Sequence, residues 1–434
     1  MFEVYSWSYR FVYTLLISFY CIISYIIIIK KKHFLNVFLP VLNTVITISS
    51  FLLLAIISEP IDKNAIYIGS SLIAIYLLTR LLLRKSLKID SIVLYDLIFV
   101  LISLGLCMLY RLSPDYGIKQ ITFIAIGNSA LIVAIFLGKK MDFKPEQYKY
   151  FAYAIFSLLI MTQIFGTEVF GSKNWIKIGM ISFQPSEIIK ILFVFLIACL
   201  LYYDIDLKRF LTNSMVLLAI VLFFALQRDL GSAFIFFSVY IIMLFYKDPK
   251  FYYTGITIFS AIIGGVSSYF LFGHIKSRVL AWLNPWQYTS TKAYQITQSL
   301  FAIASGGLIG RGINIGNPKY IPAVHTDFIF SAICEEMGII IAICILVIYA
   351  LIVLIGMNIC IKCEDKLNQL ISLGLTSMTA IQTLLIVCGV LNLIPITGVT
   401  LPFVSYGGSS LLSQFINIGI LYYINEKEMG VAYE

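Results

Sequence analysis

Residues 9–32 read YRFVYTLLISFYCIISYIIIIKKK, an apolar run closed by Lys30, Lys31 and Lys32. A run of about 20 apolar residues is what a helix needs to cross a hydrocarbon core of about 30 Å. The three lysines mark its cytoplasmic end, which puts the N-terminus outside. No small-residue cleavage site follows them, so the span reads as a retained helix and not as a removable signal. Working outward, the same pattern recurs to the end of the chain. Spans are expected near 9–29, 34–58, 64–84, 91–110, 119–138, 148–166, 187–203, 210–227, 230–246, 252–272, 326–357, 368–392 and 406–424. The fold class is therefore an all-α polytopic membrane protein of roughly thirteen helices.

Composition excludes the alternatives. Of the 434 residues 60% are hydrophobic and only 12% are charged. A soluble domain carries roughly 25% charged residues to cover its surface. The net charge of +9 does not indicate nucleic acid, because the basic residues fall in short clusters between apolar runs. They act as topology signals, with Arg80, Arg84, Lys85 and Lys88 in one inner connection and Lys139, Lys140, Lys144 and Lys149 in the next. Lys208, Arg209, Lys247, Lys250, Lys362, Lys366 and Lys427 follow the same alternation, which leaves the C-terminus in the cytoplasm. The eight cysteines lie in or beside apolar runs and form no disulfide framework; Cys360 and Cys363 make a single CxxC without a second pair.

Three stretches break the apolar pattern. Thr167–Ser186 and the long segment 273–325 are both expected outside, and Asn392–Gly408 joins the last two spans. Long ordered connections on a helical scaffold carry function more often than the scaffold does. At the end of the long segment, Asp327 meets the next span, where partial desolvation strengthens a carboxylate as a base. A helix-capping role for Thr326 and Asp327 fits the same residues. Glu187 and Lys190 lie three apart on one helix face just inside the membrane. Pro185 opens that helix, so Glu187 also suits its first turn. Intramembrane charges nonetheless cost on the order of 2.5–3.5 kcal/mol each and mark functional cavities, which favours a role in the site. Of the adjacent Glu335 and Glu336 at most one shares the face of Asp327, and the other is expected to be a packed or paired structural acid. Ser305–Gly312, closing on Arg311, reads as a turn or as a backbone nest for phosphate. His274 and His325 lack the spacing of a metal site.

Taken in order, these segments resemble the SEDS family, the shape, elongation, division and sporulation proteins. The residues that carry the resemblance begin with Trp175-Ile176-Lys177-Ile178-Gly179, Phe183-Gln184-Pro185-Ser186-Glu187 and Lys190. Gln227 and Asp229-Leu230-Gly231 come next, then Arg278 with Asn284-Pro285, Tyr294-Gln295 and Gln298-Ser299. Ser305-Gly306-Gly307 and Gly310-Arg311-Gly312 lead to His325-Thr326-Asp327-Phe328 with Glu335-Glu336 and Gly338. The series ends on Pro395–Pro402 and Ser405-Tyr406-Gly407-Gly408-Ser409-Ser410. The resemblance covers residues 91–425, the family's ten-helix core; residues 1–88 read as an extension of three spans ahead of a core domain at 89–434.

The resemblance implies a peptidoglycan glycosyltransferase that polymerises lipid II by inversion at the outer face of the bacterial plasma membrane. It implies a class B penicillin-binding protein as transpeptidase partner. The family's catalytic aspartate falls on Asp327. Its substrate-binding residues fall on Glu187, Lys190, Trp175, Arg278, Gln295, Arg311, His325, Ser405 and Ser409. Lys190, Arg311 and the glycine loop are the candidates for holding the leaving pyrophosphate. The resemblance fixes no cofactor, and the leaving pyrophosphate has room for a divalent cation. Asn174, Arg228, Ala323, Ile386 and Asn392 depart from the family pattern, which usually has arginine, proline, glutamate, asparagine and glycine there. Two other readings fit such a chain: a transporter of the lipid-linked precursor, and a non-catalytic scaffold that recruits a transpeptidase. Transport would line a crossing path with charge at mid-membrane depth, whereas polymerisation needs an acid at the outer interface.

Overall fold

In the bilayer core no water is present to satisfy the backbone, so apolar runs of this length must fold as helices. A computed structural model of the chain describes residues 2–57, 60–86, 92–141, 143–169, 171–179, 181–248 and 250–431. Lys88 and the boundary between 88 and 89 lie outside the described residues. The chain begins with α1 (Phe2–Ile29), α2 (Phe38–Ile57) and α3 (Lys63–Ser86), followed by α4 (Ile92–Leu112), α5 (Pro114–Lys140) and α6 (Tyr148–Phe165). A three-stranded antiparallel sheet follows, β1 (Thr167–Val169), β2 (Ser172–Ile178) and β3 (Ile181–Phe183), in the order β1-β2-β3. Then come α7 (Pro185–Leu201), α8 (Leu207–Leu226), α9 (Leu230–Lys247) and α10 (Tyr252–Leu271). The long connection holds α11 (Gly273–Leu283) and α12 (Tyr294–Gly306) and ends at α13 (Ile329–Met337). The chain closes with α14 (Ile339–Lys362), α15 (Lys366–Val390) and α16 (Gly408–Val431).

Among the described residues, 11 helices are long and apolar enough to cross a membrane. The other two expected spans correspond to α7 and α16. Helix α7 has 17 residues, and α16 carries buried Ser413, Gln414 and Asn417, which lower its hydropathy but point into the protein. The expected span 326–357 is corrected. Gly338, with φ 92°, breaks it into α13 and α14, so the crossing begins at Ile339. A Cβ at Gly338 would sit 2.4 Å from the Gly310 nitrogen and 2.5 Å from the Leu308 carbonyl, closer than any side chain can approach. The Ile339 and Ile340 N–H groups donate to the carbonyls of Gly307 and Leu308 at 3.0 and 3.1 Å, so the glycine loop is packed into the break.

Helix starts follow local chemistry. Asp229 caps α9 by accepting from the Ser232 N–H at 3.0 Å, and Asp206 does the same for Arg209 in α8 at 2.8 Å. Pro185 stands at the start of α7, where its missing N–H costs nothing. Two helices mark the extremes of packing. Helix α4 is buried along its whole length, enclosed on every side by protein. Helix α10 is only 11% buried over its apolar window and presents Phe259, Ile262, Ile263 and Val266 outward.

Candidate functional site

The segment ending in Asp327 is shaped by a turn at Ala323, whose φ is 54° and whose carbonyl accepts from the Thr326 and Asp327 N–H groups at 3.1 and 3.2 Å. The Thr326 hydroxyl donates to the same carbonyl at 3.2 Å. Helix α13 opens one residue later, with Phe328 as its N-cap and no side-chain cap bond, so the capping reading of Thr326 and Asp327 is corrected. The Asp327 carboxylate instead points at the last loop. A Cβ built on Gly398 would lie 3.8 Å from Asp327 Oδ2, and the φ of Gly398 is 77°. Glycine there lets the backbone approach the acid.

Arg278, on α11, fixes that loop from the other side by donating to the carbonyls of Ile396 and Thr397 at 3.1 and 3.5 Å. Its guanidinium interacts electrostatically with both Asp229 and Asp327. Asp327 is half-buried, and desolvation pushes its pKa up from the ordinary 3.8 to about 6 against the opposing pull of Thr326 and Arg278. It is thus a stronger base than a solvated aspartate and still ionised at neutral pH.

His325 stacks on Tyr116 with ring centroids 4.5 Å apart, and burial pushes its imidazole below the ordinary pKa, which favours the neutral ring. Its carbonyl accepts from the Tyr406 N–H at 2.9 Å. The Ser405 hydroxyl donates to the Thr326 carbonyl at 2.6 Å and accepts from the Leu401 N–H at 2.9 Å. Gln120 on α5 donates to the Ser405 carbonyl at 3.2 Å. His325 and Ser405, both expected at the substrate, therefore hold the two residues that precede Asp327 against the last loop. Gly398, from the Pro395–Pro402 motif, completes this arrangement together with Tyr116 and Gln120, which were not singled out by the sequence.

Glu187 and Lys190 are 2.9 Å apart and among the most buried charges in the molecule, at 4% and 2% exposure. Ser413 donates to the second Glu187 oxygen at 2.9 Å, and Lys190 also donates to Gln382 Oε1 at 3.2 Å. Gln382 in turn accepts from Gln414 at 3.2 Å and donates to the Thr400 carbonyl at 2.9 Å. Thr400 and Ser410 share a 2.8 Å hydrogen bond. This network ties α7, α15 and α16 to the last loop, on which Gly398 faces Asp327. Ser409 belongs to the same joint: its hydroxyl accepts from the Gln184 N–H at 3.3 Å.

The remaining expected residues are placed apart from one another. Trp175 lies in β2, paired with Thr167 of β1, and Gln295 is exposed on α12. Arg311 lies at the far end of α13 from Asp327, about 12 Å along the helix axis. It lines a cavity of about 170 Å³ with Gln298, Asn317, Tyr320 and Glu335. The Arg311 and Gly312 N–H groups donate to the carbonyls of Glu335 and Glu336, both at 2.9 Å, so these two donors cap α13 and do not form an anion nest. Glu335 accepts from the Asn317 N–H at 2.9 Å, and Glu336 pairs with Arg111 at 3.0 Å, so both acids are structurally engaged. Among the described residues no three His, Cys, Asp or Glu side chains converge to hold an ion.

The departures have local explanations in part. Asn174 donates to Asp229 at 2.9 Å from a buried position. Asn392 has φ 57°, a conformation that asparagine tolerates, and exchanges hydrogen bonds of 3.0 and 3.2 Å with Trp282. Arg228 has φ 58°, which proline cannot adopt, so the turn into α9 differs from one built on proline. Ala323 is the turn residue described above, and nothing in the structure explains Ile386, a buried residue of α15.

A core of membrane-length apolar helices and a desolvated acid on a long, loop-rich connection define a polytopic membrane protein. The chain belongs to the FtsW/RodA/SpoVE family of cell cycle proteins, whose model matches residues 90–429. It is 34% identical over 271 residues to the peptidoglycan glycosyltransferase RodA of Mycobacterium tuberculosis, a match covering 58% of this chain and 57% of that protein. It is also 34% identical over 260 residues to the stage V sporulation protein E of Bacillus subtilis, covering 58% and 70%. The chain thus spans little more than half the length of the first of these relatives. Its fold is similar to a chain of a solved peptidoglycan synthase complex that coordinates polymerization and crosslinking. The TM-score there is 0.64 at 22% identity, over 77% of this chain and 97% of that one. The rod shape determining protein RodA of Thermus thermophilus gives 0.57 at 21% identity, over 77% and 96%.

Proposed function

We propose that this protein is an inverting glycosyltransferase that polymerises lipid II, with Asp327 as general base. The observation that carries the proposal is the desolvated carboxylate of Asp327, held between α11, α13 and the last loop and facing a glycine. The 4-hydroxyl of the acceptor sugar attacks the anomeric carbon of the donor and gives its proton to Asp327. The new C–O bond forms as the bond to pyrophosphate breaks, and undecaprenyl pyrophosphate leaves with the electron pair. Arg278 is the cation beside this acid; it favours the ionised carboxylate and offers positive charge to the departing pyrophosphate. Lys190 and Arg311 are less suited to that task, because Lys190 is enclosed by Glu187 and Gln382 and Arg311 is at the other end of α13. Gln295, Trp175 and Ser409 are left as candidate substrate contacts outside the immediate surroundings of the acid.

The same reading puts Asp327 on the outer face, with the N-terminus outside and the C-terminus in the cytoplasm, and gives the polymerase a class B penicillin-binding protein as transpeptidase partner. Support for polymerisation over transport comes from the Glu187–Lys190 pair, whose charges are taken up by each other, by Ser413 and by Gln382. Purified protein given labelled lipid II should convert it into glycan ladders on a gel. Failure to form polymer, together with faster lipid II exchange across proteoliposomes, would favour transport.

A further inference from the structure

The family match begins at residue 90, so α1–α3 precede it, yet these helices are fastened to the core at both membrane faces. At the inner end, four residues from the start of α4, Asp96 joins all three. Its carboxylate accepts from Tyr76 at 2.6 Å and from Arg80 at 3.0 Å, and its carbonyl accepts from Tyr20 at 2.7 Å and Asn43 at 3.0 Å. Asp96 is only 1% exposed. Along the way, Thr47 of α2 bonds Ser103 of α4 at 2.9 Å, and Cys21 of α1 donates to the Cys344 carbonyl of α14 at 3.6 Å. At the outer end, Tyr110 of α4 bonds Asp62 in the connection between α2 and α3.

The outer end of α1 also reaches the glycine loop. Arg10 donates to the Gly310 carbonyl at 3.1 Å, and a Cβ on Gly312 would lie 3.3 Å from its Nε. This loop is the part that grips α13 through the Arg311 and Gly312 N–H groups and α14 through the carbonyls of Gly307 and Leu308. Arg111, at the end of α4, adds a 3.0 Å pair with Glu336 and a 3.1 Å bond to the Gly316 carbonyl. The short helix that follows Asp327 is thus held at one end by Ser405 and the last loop, and at the other by a loop to which the extension is attached.

We infer that α1–α3 are a built-in brace for the reaction centre, and that Arg10 is a positioning residue acting through the glycine loop on α13. The inference rests on the polymerase reading for its kinetic part only. Loss of the Arg10 bond frees the C-terminal end of α13 and so loosens the placement of Asp327 ahead of its other end, while Arg278 and the last loop keep their own bonds, so turnover falls and substrate affinity does not.

The test compares full-length wild type, Arg10→Gln and Arg10→Lys in detergent or nanodiscs. Hydrogen exchange over 309–316 should accelerate roughly tenfold in Arg10→Gln, the scale of one bond to a charged group. The kcat on labelled lipid II should fall on the order of tenfold, with KM unchanged. Arg10→Lys, which keeps a cationic donor, should restore both. Unchanged exchange in Arg10→Gln, faster exchange with unchanged kcat, or no rescue by lysine would each overturn the brace. If wild type itself makes no polymer, the polymerase reading fails, and the exchange arm still decides whether Arg10 holds the loop.

Discussion

Replacing Lys190 by methionine tests the buried network most severely. The change removes the Nζ that bonds Glu187 Oε1 at 2.9 Å and Gln382 Oε1 at 3.2 Å, in a place where Glu187 is 4% exposed. Among the described residues Glu187 then keeps only the Ser413 hydroxyl and has no counterion. Loss of a bond to a charged group is worth about 1.5–3 kcal/mol. Orphaning one member of a buried ion pair raises that to about 3–5 kcal/mol. Adding Glu187→Gln removes the stranded charge while keeping an acceptor for Ser413, so the double variant should recover part of the loss. The coupling between two contacting sites should fall in the range of about 0.5–3 kcal/mol. Unfolding of a protein this size in detergent is governed by a rate, so all variants should be heated on one schedule and the monodisperse fraction followed by size-exclusion chromatography. The expected order of stability is wild type, then the double variant, then Lys190→Met. A Lys190→Met midpoint equal to wild type, or a double variant less stable than Lys190→Met alone, would refute the coupled-pair account.

Two further outcomes follow from the electrostatics and the topology. Asp327 works as a base only when ionised, and its pKa is raised to about 6, so kcat/KM should fall as pH drops through about 6 and be full above it. Arg278→Gln removes a cation that lowers this pKa, so the acid limb should move to higher pH; a limb near the ordinary 3.8, or a shift downward, would contradict the assignment. A cysteine at Thr291 should react with a membrane-impermeant maleimide in intact cells, and one at Lys427 only after lysis; the reverse pattern would put Asp327 on the wrong face.

Much of the helical framework is legible in the sequence because the bilayer imposes one length and one backbone solution on every span. The break at Gly338 was hidden by apolar residues running on at Ile339, Ile340 and Ile341. A glycine after Glu335-Glu336-Met337 was the available signal, since glycine often terminates a helix. The sheet at 167–183 escaped notice because two of its strands have three residues each, too short for periodicity to register. Asp327, Arg278, His325 and Ser405 were readable as a group from motif order, and the structure assembles them around one turn and one loop. The partners Gln382, Ser413 and Gln414 were not, because an uncharged polar residue in an apolar helix does not say which charge it will meet. Asp96 was missed for a related reason: one acid in a long apolar run shows a cost without showing that Tyr76 and Arg80 offset it from another helix.

In the proposed reaction Asp327 removes the proton from the attacking sugar. Asp327→Asn keeps the size of the side chain and its hydrogen-bonding reach while eliminating the base. Purified wild type and variant, matched for elution profile and membrane yield, should be given the same labelled lipid II and the products resolved on a gel. Glycan ladders are expected from wild type and none from Asp327→Asn. Ladders from the variant at a rate near that of wild type would contradict that role.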